Sequence, residues 1–335
     1  MRRFANKCEH LCRMGAGWSF CAPHEVEWRD FPGRSNPLET LRVFRQSSTI
    51  LVFAFFTFAV SSASIAQEKV GVTEITPTVL VFATSTGNVV ASVGPDGVLL
   101  VGKASAASTP LVDSILKQRT KSSVRYVVIY PESVAKSEGD AGWGKLGAFV
   151  AMHENALRRL SGDAMGTAGA LPSHFADLGV DRPKIAFSQV LAFDLNGDSI
   201  HVVHQKPGYS DADALTHFHV ANVFYLGEAF PGDGYPRIDA AQGGTLEGLL
   251  DQLTWTDSKQ RIVPARGKVT DGRDLKAFRD MIVSVRDRVQ RMVNEGHTES
   301  EVLAAHPASD FDEHWGHGLV TTDSFVSQVY AAVKK

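Results

Sequence analysis

Cysteine is nearly missing from this chain of 335 residues, and the three present, Cys8, Cys12 and Cys21, all fall near its start. Everything after Cys21 is therefore closed to disulfides and thiol chemistry. An excess of charge of one sign is also lacking. The formal net charge is −3 and the pI is near 6.5, with no long run of Lys and Arg, so no basic face is offered to a nucleic-acid backbone. The apolar run at 50–60 (ILVFAFFTFAV) is too short to span a bilayer. What is there is ordinary for a globular protein: 44% hydrophobic and 21% charged residues, in a chain long enough to bury a large core in one or two domains.

The apolar run follows Arg42 and Arg45 and leads into the small residues SSASIA, the pattern of a secretory signal. Ser64 and Ala66 supply small side chains at the third and first positions before a cut, so the expected mature chain begins at Gln67. A buried helix or a membrane anchor is the other reading of the run. Residues 1–40 show no sustained period of 2 or 3.6 and read as an N-terminal extension or as the product of a misassigned start codon. The expected organisation is thus an extension at 1–40, a signal peptide at 41–66 and one domain at 67–335, placed in the periplasm or outside the cell, with no membrane contact beyond the signal. Cys8, Cys12 and Cys21 with His10 and His24 match no usual zinc spacing.

Beyond residue 67 the pattern is short apolar strands and tight turns. TVLVFATST, NVVASV and VLLVG form a meander, with Pro95-Asp96-Gly97 as a turn. Thr109 is expected to cap a helix with Pro110 at its first position and a buried stripe of Leu111, Val112, Ile115 and Leu116. A strand at 125–130, a polar loop, a helix and a short strand at 148–152 follow. LAFDL and SIHVVHQ are joined by Asn196-Gly197, a type I′ signal, before a strand at 221–226. Leu275, Phe278, Ile282, Val285, Val289 and Met292, spaced 3, 4, 3, 4, 3, mark a long helix that Gly296 would end, and a last helix is expected at 323–335. Two strand-rich halves, each flanked by helices, predict a four-layer αββα sandwich rather than a doubly wound sheet, because strands come in hairpins as well as crossovers.

GNVVASVGPDGVLLVG, SVRYVVIYPESVAKSEGD, AMHENALRRL, KPGYSDADALTHFHVANVFYLGEAF, YPRIDAAQGGTLEGLL and RIVPARGKVTDGRDL occur in this order. In order and spacing they resemble the secreted hydrolases of the metallo-β-lactamase superfamily, over about residues 70–335. The resemblance implies one or two zinc ions at an edge of the sandwich, held by an H-x-H-x-D-H loop, a further His, a bridging Asp and a last His in a P-G-H-G turn. Zinc there lowers the pKa of a bound water to give hydroxide near neutral pH. This chain departs from that pattern almost everywhere. The loop positions are Pro131, Ser133, Ala135 and Lys136, the later His is Tyr209, the bridging Asp is Glu228, the last His is Arg266, and the Asp that commonly ends an early strand is Gly102. Only Glu228 keeps zinc-binding chemistry, and a catalytic zinc needs about three protein ligands, so no metal cofactor is expected.

Lys136 and Arg266 put fixed positive charge around Glu228, which predicts an ion cluster suited to an anionic ligand, with Tyr209 beside it; the alternative is three side chains facing water on a loop rim. Ser133 and Lys136 also spell S-x-x-K, a nucleophile and base arrangement. Ser114 to Lys117 matches equally well, and no S-D-N or K-T-G companion is present. His217 and His219, on one strand face with His201 and His204 nearby, could form a relocated metal site, although strand histidines are more often satisfied core or surface residues. His314 and His317 suggest packing, and His153 a loop-orienting role. Three functions remain open. The first is a non-catalytic protein binding an anionic small molecule or an active partner of the same fold. The second is a hydrolase of an ester, thioester or lactam using a rebuilt metal site or Ser133 and Lys136. The third is a fold retained without a ligand.

Overall fold

Alternation of side chains along the strands dictates the layers. In the computed structural model, which describes residues 68–102, 105, 107–130, 142–160, 183–254 and 259–334, Val79 and Val81 point to one side of their strand and Leu80 and Phe82 to the other. Both sets are buried. A strand buried on both faces needs a layer on each side.

The first sheet runs in the order β1 (Gly71–Thr76), β2 (Val79–Thr84), β3 (Gly87–Ser92), β4 (Val98–Gly102), β5 (Val124–Ile129), β6 (Phe149–His153) and β7 (Ile185–Phe187). It is antiparallel up to β4 and parallel from β4 to β7. The second sheet has the order β13 (Thr270–Asp271), β12 (Arg261–Val263), β11 (Val223–Tyr225), β10 (Ala214–Phe218), β9 (Asp198–His204), β8 (Val190–Leu195). Only its β11–β12 pair is parallel.

Three apolar clusters fill the spaces between layers. Val81, Val90, Leu99 and Val128 of the first sheet meet Ile200, Val202, Phe218 and Val263 of the second. The outer face of the first sheet packs on α1 (Thr109–Arg119) and α2 (Glu154–Leu160) through Val112, Leu116, Ala156 and Leu157. The outer face of the second, through Leu215, Phe224 and Ile262, packs on α3 (Leu246–Gln252), α4 (Gly272–Asn294), α5 (Glu299–Ala304) and α7 (Thr322–Val333). The expected αββα sandwich is the architecture found. A short α6 (Asp312–Trp315) lies between α5 and α7. No helix among the described residues is long and apolar enough to cross a membrane.

Local signals held to differing degrees. Leu275, Phe278, Ile282, Val285 and Val289 of α4 are all fully buried, and Met292 is partly so. Gly296, at φ 89°, ends the helix with bonds from Gly296 N–H to Val293 O and from His297 N–H to Met292 O, both 3.0 Å, a Schellman closure. Asn196 and Gly197 both have positive φ, as type I′ requires.

α1 corrects its expectation by one residue: Ser108 is the cap and Thr109 the first helical position, while Leu111 is 37% exposed, so the buried stripe is Val112 and Leu116. Of the stretch in which a helix was expected before the strand at 148–152, residues 142–147 form turns and 131–141 lie outside the described residues; a helix, α2, follows the strand. β1, β7 and β12 carried no clear strand signal; β1 is mostly exposed and the other two are three residues long.

Candidate functional site

The strands β5, β11 and β12 end together at one edge of the sandwich, and the residues following them build the site. β11 leads into a single 3-10 turn, Gly227–Ala229, which presents Glu228. β12 leads into Pro264, Ala265, Arg266 and Gly267. That second turn is held on two sides. Ala265 and Arg266 donate their N–H groups to Phe230 O and Pro231 O, both at 2.9 Å. Asn88, at the start of β3, donates its own N–H to Ala265 O at 2.7 Å and its side-chain amide to Pro264 O and Gly267 O at 2.9 and 3.0 Å. Gly87 has φ +138°, and a Cβ there would lie 2.7 Å from Ala265 O, so only glycine allows this approach.

With its backbone fixed, Arg266 meets Glu228 fork to fork: Nη1 donates to Oε1 at 2.6 Å and Nη2 to Oε2 at 2.9 Å. Its Nε reaches Asp233 Oδ1 at 3.4 Å. The side chains of Arg266 and Glu228 are only 18% and 13% exposed, so this is a largely desolvated, bidentate pair. Asp233 is the participant that sequence reasoning missed. It sits in the same Pro-Gly-Asp-Gly turn that places Pro231 and Gly232 against Arg266, and no motif marked it. It also changes the charge balance, because one guanidinium facing two carboxylates leaves the described part of the cluster at −1 rather than at the surplus positive charge expected from Lys136 and Arg266 around Glu228. Lys136 and Ser133, with Pro131 and Ala135, lie outside the described residues.

Tyr209 is 4% exposed, with the Arg237 guanidinium 5.8 Å from its ring centre. Its loop folds around the buried carboxylate of Asp213, which accepts from the N–H groups of Gly208, Tyr209 and Ser210 (3.1, 2.7 and 2.8 Å), from Ser210 Oγ (2.9 Å) and from Gln252 Nε2 (2.8 Å). Burial pushes the Asp213 carboxyl up, against donors from Gln252 and Ser210 that favour its ionised form. Asp213 thus shapes the loop, both of its oxygens being engaged within it. Tyr130, the residue after β5, donates or accepts a 2.5 Å hydrogen bond with Thr216 Oγ1 and packs edge-on against Tyr225 at 5.2 Å. Burial holds its phenol far above the usual range. Between Tyr130, Tyr209, Asp213 and Glu228 the remaining cavity measures about 10 Å³, room for one water at most.

Gly102 closes the question of the early-strand carboxylate. Its φ is +114°, and a Cβ there would lie 2.6 Å from Asn88 O and 3.2 Å from Tyr225 Oη, so no side chain fits. Zinc likewise does not fit the described residues at this edge. Glu228 has both oxygens engaged by a permanent cation, and neither Tyr209 nor Arg266 offers a nitrogen or carboxylate lone pair of the kind zinc takes. Among the described residues no three His, Cys, Asp or Glu side chains form a metal-binding group.

The four histidines divide, and His219 lies in the turn after β10 rather than on the strand expected to carry it with His217. His201, His217 and His219 gather on the second sheet, whereas His204 stacks on His153 at 4.1 Å and contacts Asp213 O through Nδ1 at 2.9 Å. His153 Nε2 lies 3.0 Å from Ser188 O while its Nδ1 accepts the Asn155 N–H, and burial pushes its pKa down. Its bonds tie β6 to the chain after β7, in line with an orienting role. His314 packs edge-on against the buried Trp315 at 4.4 Å.

No family model matches this sequence, and no curated protein does. Among solved structures it is similar to the stereoselective inverting sec-alkylsulfatase Pisa1 from Pseudomonas sp., with TM-score 0.56 and 15% identity over 78% of this chain and 50% of that one. A double mutant of Pisa1 gives TM-score 0.57 at 15% identity over the same shares. The metallo-beta-lactamase IND-7 gives TM-score 0.50 and 13% identity over 65% of this chain and 99% of that one. The chain thus spans about half the length of the alkylsulfatase and nearly all of the lactamase. At such identities the likeness carries architecture and nothing finer: this chain has the metallo-β-lactamase fold.

Proposed function

We propose that this protein is an exported, non-catalytic member of the metallo-β-lactamase superfamily that works by binding, with the Arg266–Glu228 pair in the place where hydrolases of the fold keep metal. The observation that carries this reading is the bidentate contact itself. A guanidinium supplies positive charge to the carboxylate, yet it has no vacant orbital for a water oxygen and cannot generate hydroxide as zinc does. Of the two kinds of occupant, an active relative of the same fold is favoured over an anionic small molecule. Arg266 already faces both Glu228 and Asp233, and the cavity that the described residues bound beside them has room for about one water.

Zinc analysis of the purified full chain, run beside a panel of ester, thioester and lactam substrates, tests it. The expected result is no turnover, and a zinc content that Glu228→Ala does not change. Turnover that disappears on Ser133→Ala or Glu228→Ala would establish a hydrolase instead. Export is tested by sequencing the N-terminus of the protein recovered from its native host, which is expected to begin at Gln67.

A further inference from the structure

On the outer face of the second sheet, β9 and β10 pair with His201 opposite His217. Ile200, Val202 and Phe218 fill the interior, which turns His201 and His217 outward, and His219 follows in the turn to β11. That turn is firmly held. Asp198 accepts the N–H groups of Val220 and Ala221 at 2.8 and 3.1 Å, and His219 N–H donates to Ser199 O at 3.1 Å. The result places His219 Nε2 3.0 Å from His201 Nδ1 on an exposed face, while the far nitrogen of His201, Nε2, lies 3.3 Å from Ser199 Oγ. His217 sits beneath, stacked on Phe224 at 3.9 Å and against His219 at 3.8 Å, with its Nε2 buried and without a hydrogen-bond partner.

Two neutral imidazole nitrogens this close share one proton, and each ring is also a ligand for late transition metals. At a metal–nitrogen length of roughly 2.0–2.1 Å, two ligands at a right angle stand about 2.9 Å apart. The observed 3.0 Å therefore matches the spacing of a cis pair, and binding requires the two rings, now edge-on at 4.5 Å between centres, to turn their nitrogens from each other onto one ion. We propose that His201 and His219 form an accessory, exchangeable site for a divalent late-transition-metal ion that favours imidazole and cis coordination, Ni²⁺ or Cu²⁺, remote from the Arg266 edge. On binding, His201 ligates through Nδ1 and carries its proton on Nε2, where Ser199 Oγ accepts it, the outer-shell bond that typically fixes a ligating histidine. Since no third His, Cys, Asp or Glu converges there among the described residues, water completes the coordination and the ion exchanges freely. The site shares no residue with the proposed function, and either can fail alone.

Calorimetric titration of the full chain with Ni²⁺ at pH 7.5 tests the proposal, with His201→Ala, His219→Ala and the double variant alongside. The cysteines and histidines near the N-terminus are common to all four proteins, so the difference isolates this pair. Wild type is expected to hold one Ni²⁺ more than the double variant, and each single variant to lose about tenfold or more in affinity for that ion. Pulsed EPR with Cu²⁺ should give two imidazole couplings in wild type and one in His219→Ala, a turn substitution that leaves the strands intact. Equal Ni²⁺ stoichiometry in wild type and the double variant, or no loss of an imidazole coupling in His219→Ala, would overturn it.

Discussion

Replacing Arg266 with methionine removes the guanidinium while keeping an unbranched side chain in the same turn, and it leaves Glu228, 13% exposed, without the cation that pairs with it among the described residues. Removing one partner of a fully buried pair costs about 3–5 kcal/mol. Here both groups retain some solvent, so the cost expected is roughly 2–4 kcal/mol. For a unit of this size each kcal/mol moves Tm by about 2 °C, which makes the drop about 4–8 °C. Glu228→Gln should cost less, since Asp233 at 3.4 Å still faces the arginine. The double variant Arg266→Met with Glu228→Met removes both charges and should return to within about 1 kcal/mol of wild type, because apolar replacements of a desolvated pair are often neutral. Thermal denaturation followed by circular dichroism measures these variants, with Glu228→Met added as the second single that closes the double-mutant cycle. Dialysis against EDTA should leave every curve in place. A single Arg266→Met variant within about 1 °C of wild type, or a double variant as damaged as the sum of the singles, would refute the pair as the element that neutralises this edge.

His217, with its ring partly buried, has its pKa brought down to about 4 by desolvation, then by the neighbouring His219 and His201, against Asp198. Because the folded value lies below the unfolded 6.5, the unfolded chain binds the proton first, so stability is complete above pH 6.5 and falls as pH drops from 6.5 towards 4. The difference converts to at most ~3 kcal/mol, which screening at a partly exposed ring reduces to roughly 1–2 kcal/mol. His217→Phe, which keeps a ring on Phe224, should recover that amount at pH 4 in urea denaturation; an unchanged slope with pH would count against it. Gly102→Ala should destabilise by about 3 kcal/mol or more, since it adds a Cβ 2.6 Å from Asn88 O at φ +114°, and a soluble variant with wild-type Tm would be the contrary result. Asn88→Ala removes two amide bonds to Pro264 O and Gly267 O and is expected to cost about 1–3 kcal/mol, with faster hydrogen exchange at Arg266 and Gly267 as the local readout.

The layers were legible because their signals are strong. The 3, 4, 3, 4, 3 spacing in α4 and the short, continuous apolar runs of β2 to β4 between turn residues each report burial directly, and Asn196-Gly197 reports its own dihedrals. β7 and β12 were not legible, since three residues are too few for a period of two to register, and β1 faces solvent along most of its length. At the edge, the sequence placed Glu228, Arg266 and Tyr209 in one region because the resemblance aligned them, and the first two do touch. Asp233 escaped because an acid in a Pro-Gly-Asp-Gly turn is what any turn would contain. Asp213 escaped for a different reason: its five donors come mostly from backbone N–H groups, which the sequence does not display. Tyr225 could not be read as the group filling the space beside Gly102, since that contact joins the two sheets across 123 positions of chain.

Under the proposed reading, the substitutions at this edge are coupled, and that coupling makes a return to metal binding hard. Arg266 supplies one positive charge in a planar fork, enough to neutralise Glu228 and to tie the turn after β11 to the turn after β12. The metal of a hydrolase performs that tying as well, so the chemistry can be lost while the mechanical link is kept. Once the arginine is in place its neighbours fit around it. Asp233 approaches its Nε, Asn88 grips the turn that carries it, and Gly102 leaves the space that Tyr225 Oη and Asn88 O now border. Restoring histidine at 266 alone would leave Glu228 without its cation and still supply only two ligands. Adding histidine at 209 would set an imidazole into a buried position beside a cavity of about 10 Å³, and a carboxylate at 102 would collide with Asn88 O. Under the proposed reading each of these changes is destabilising until the others are present, so the edge is held together by the ion pair and not by a metal.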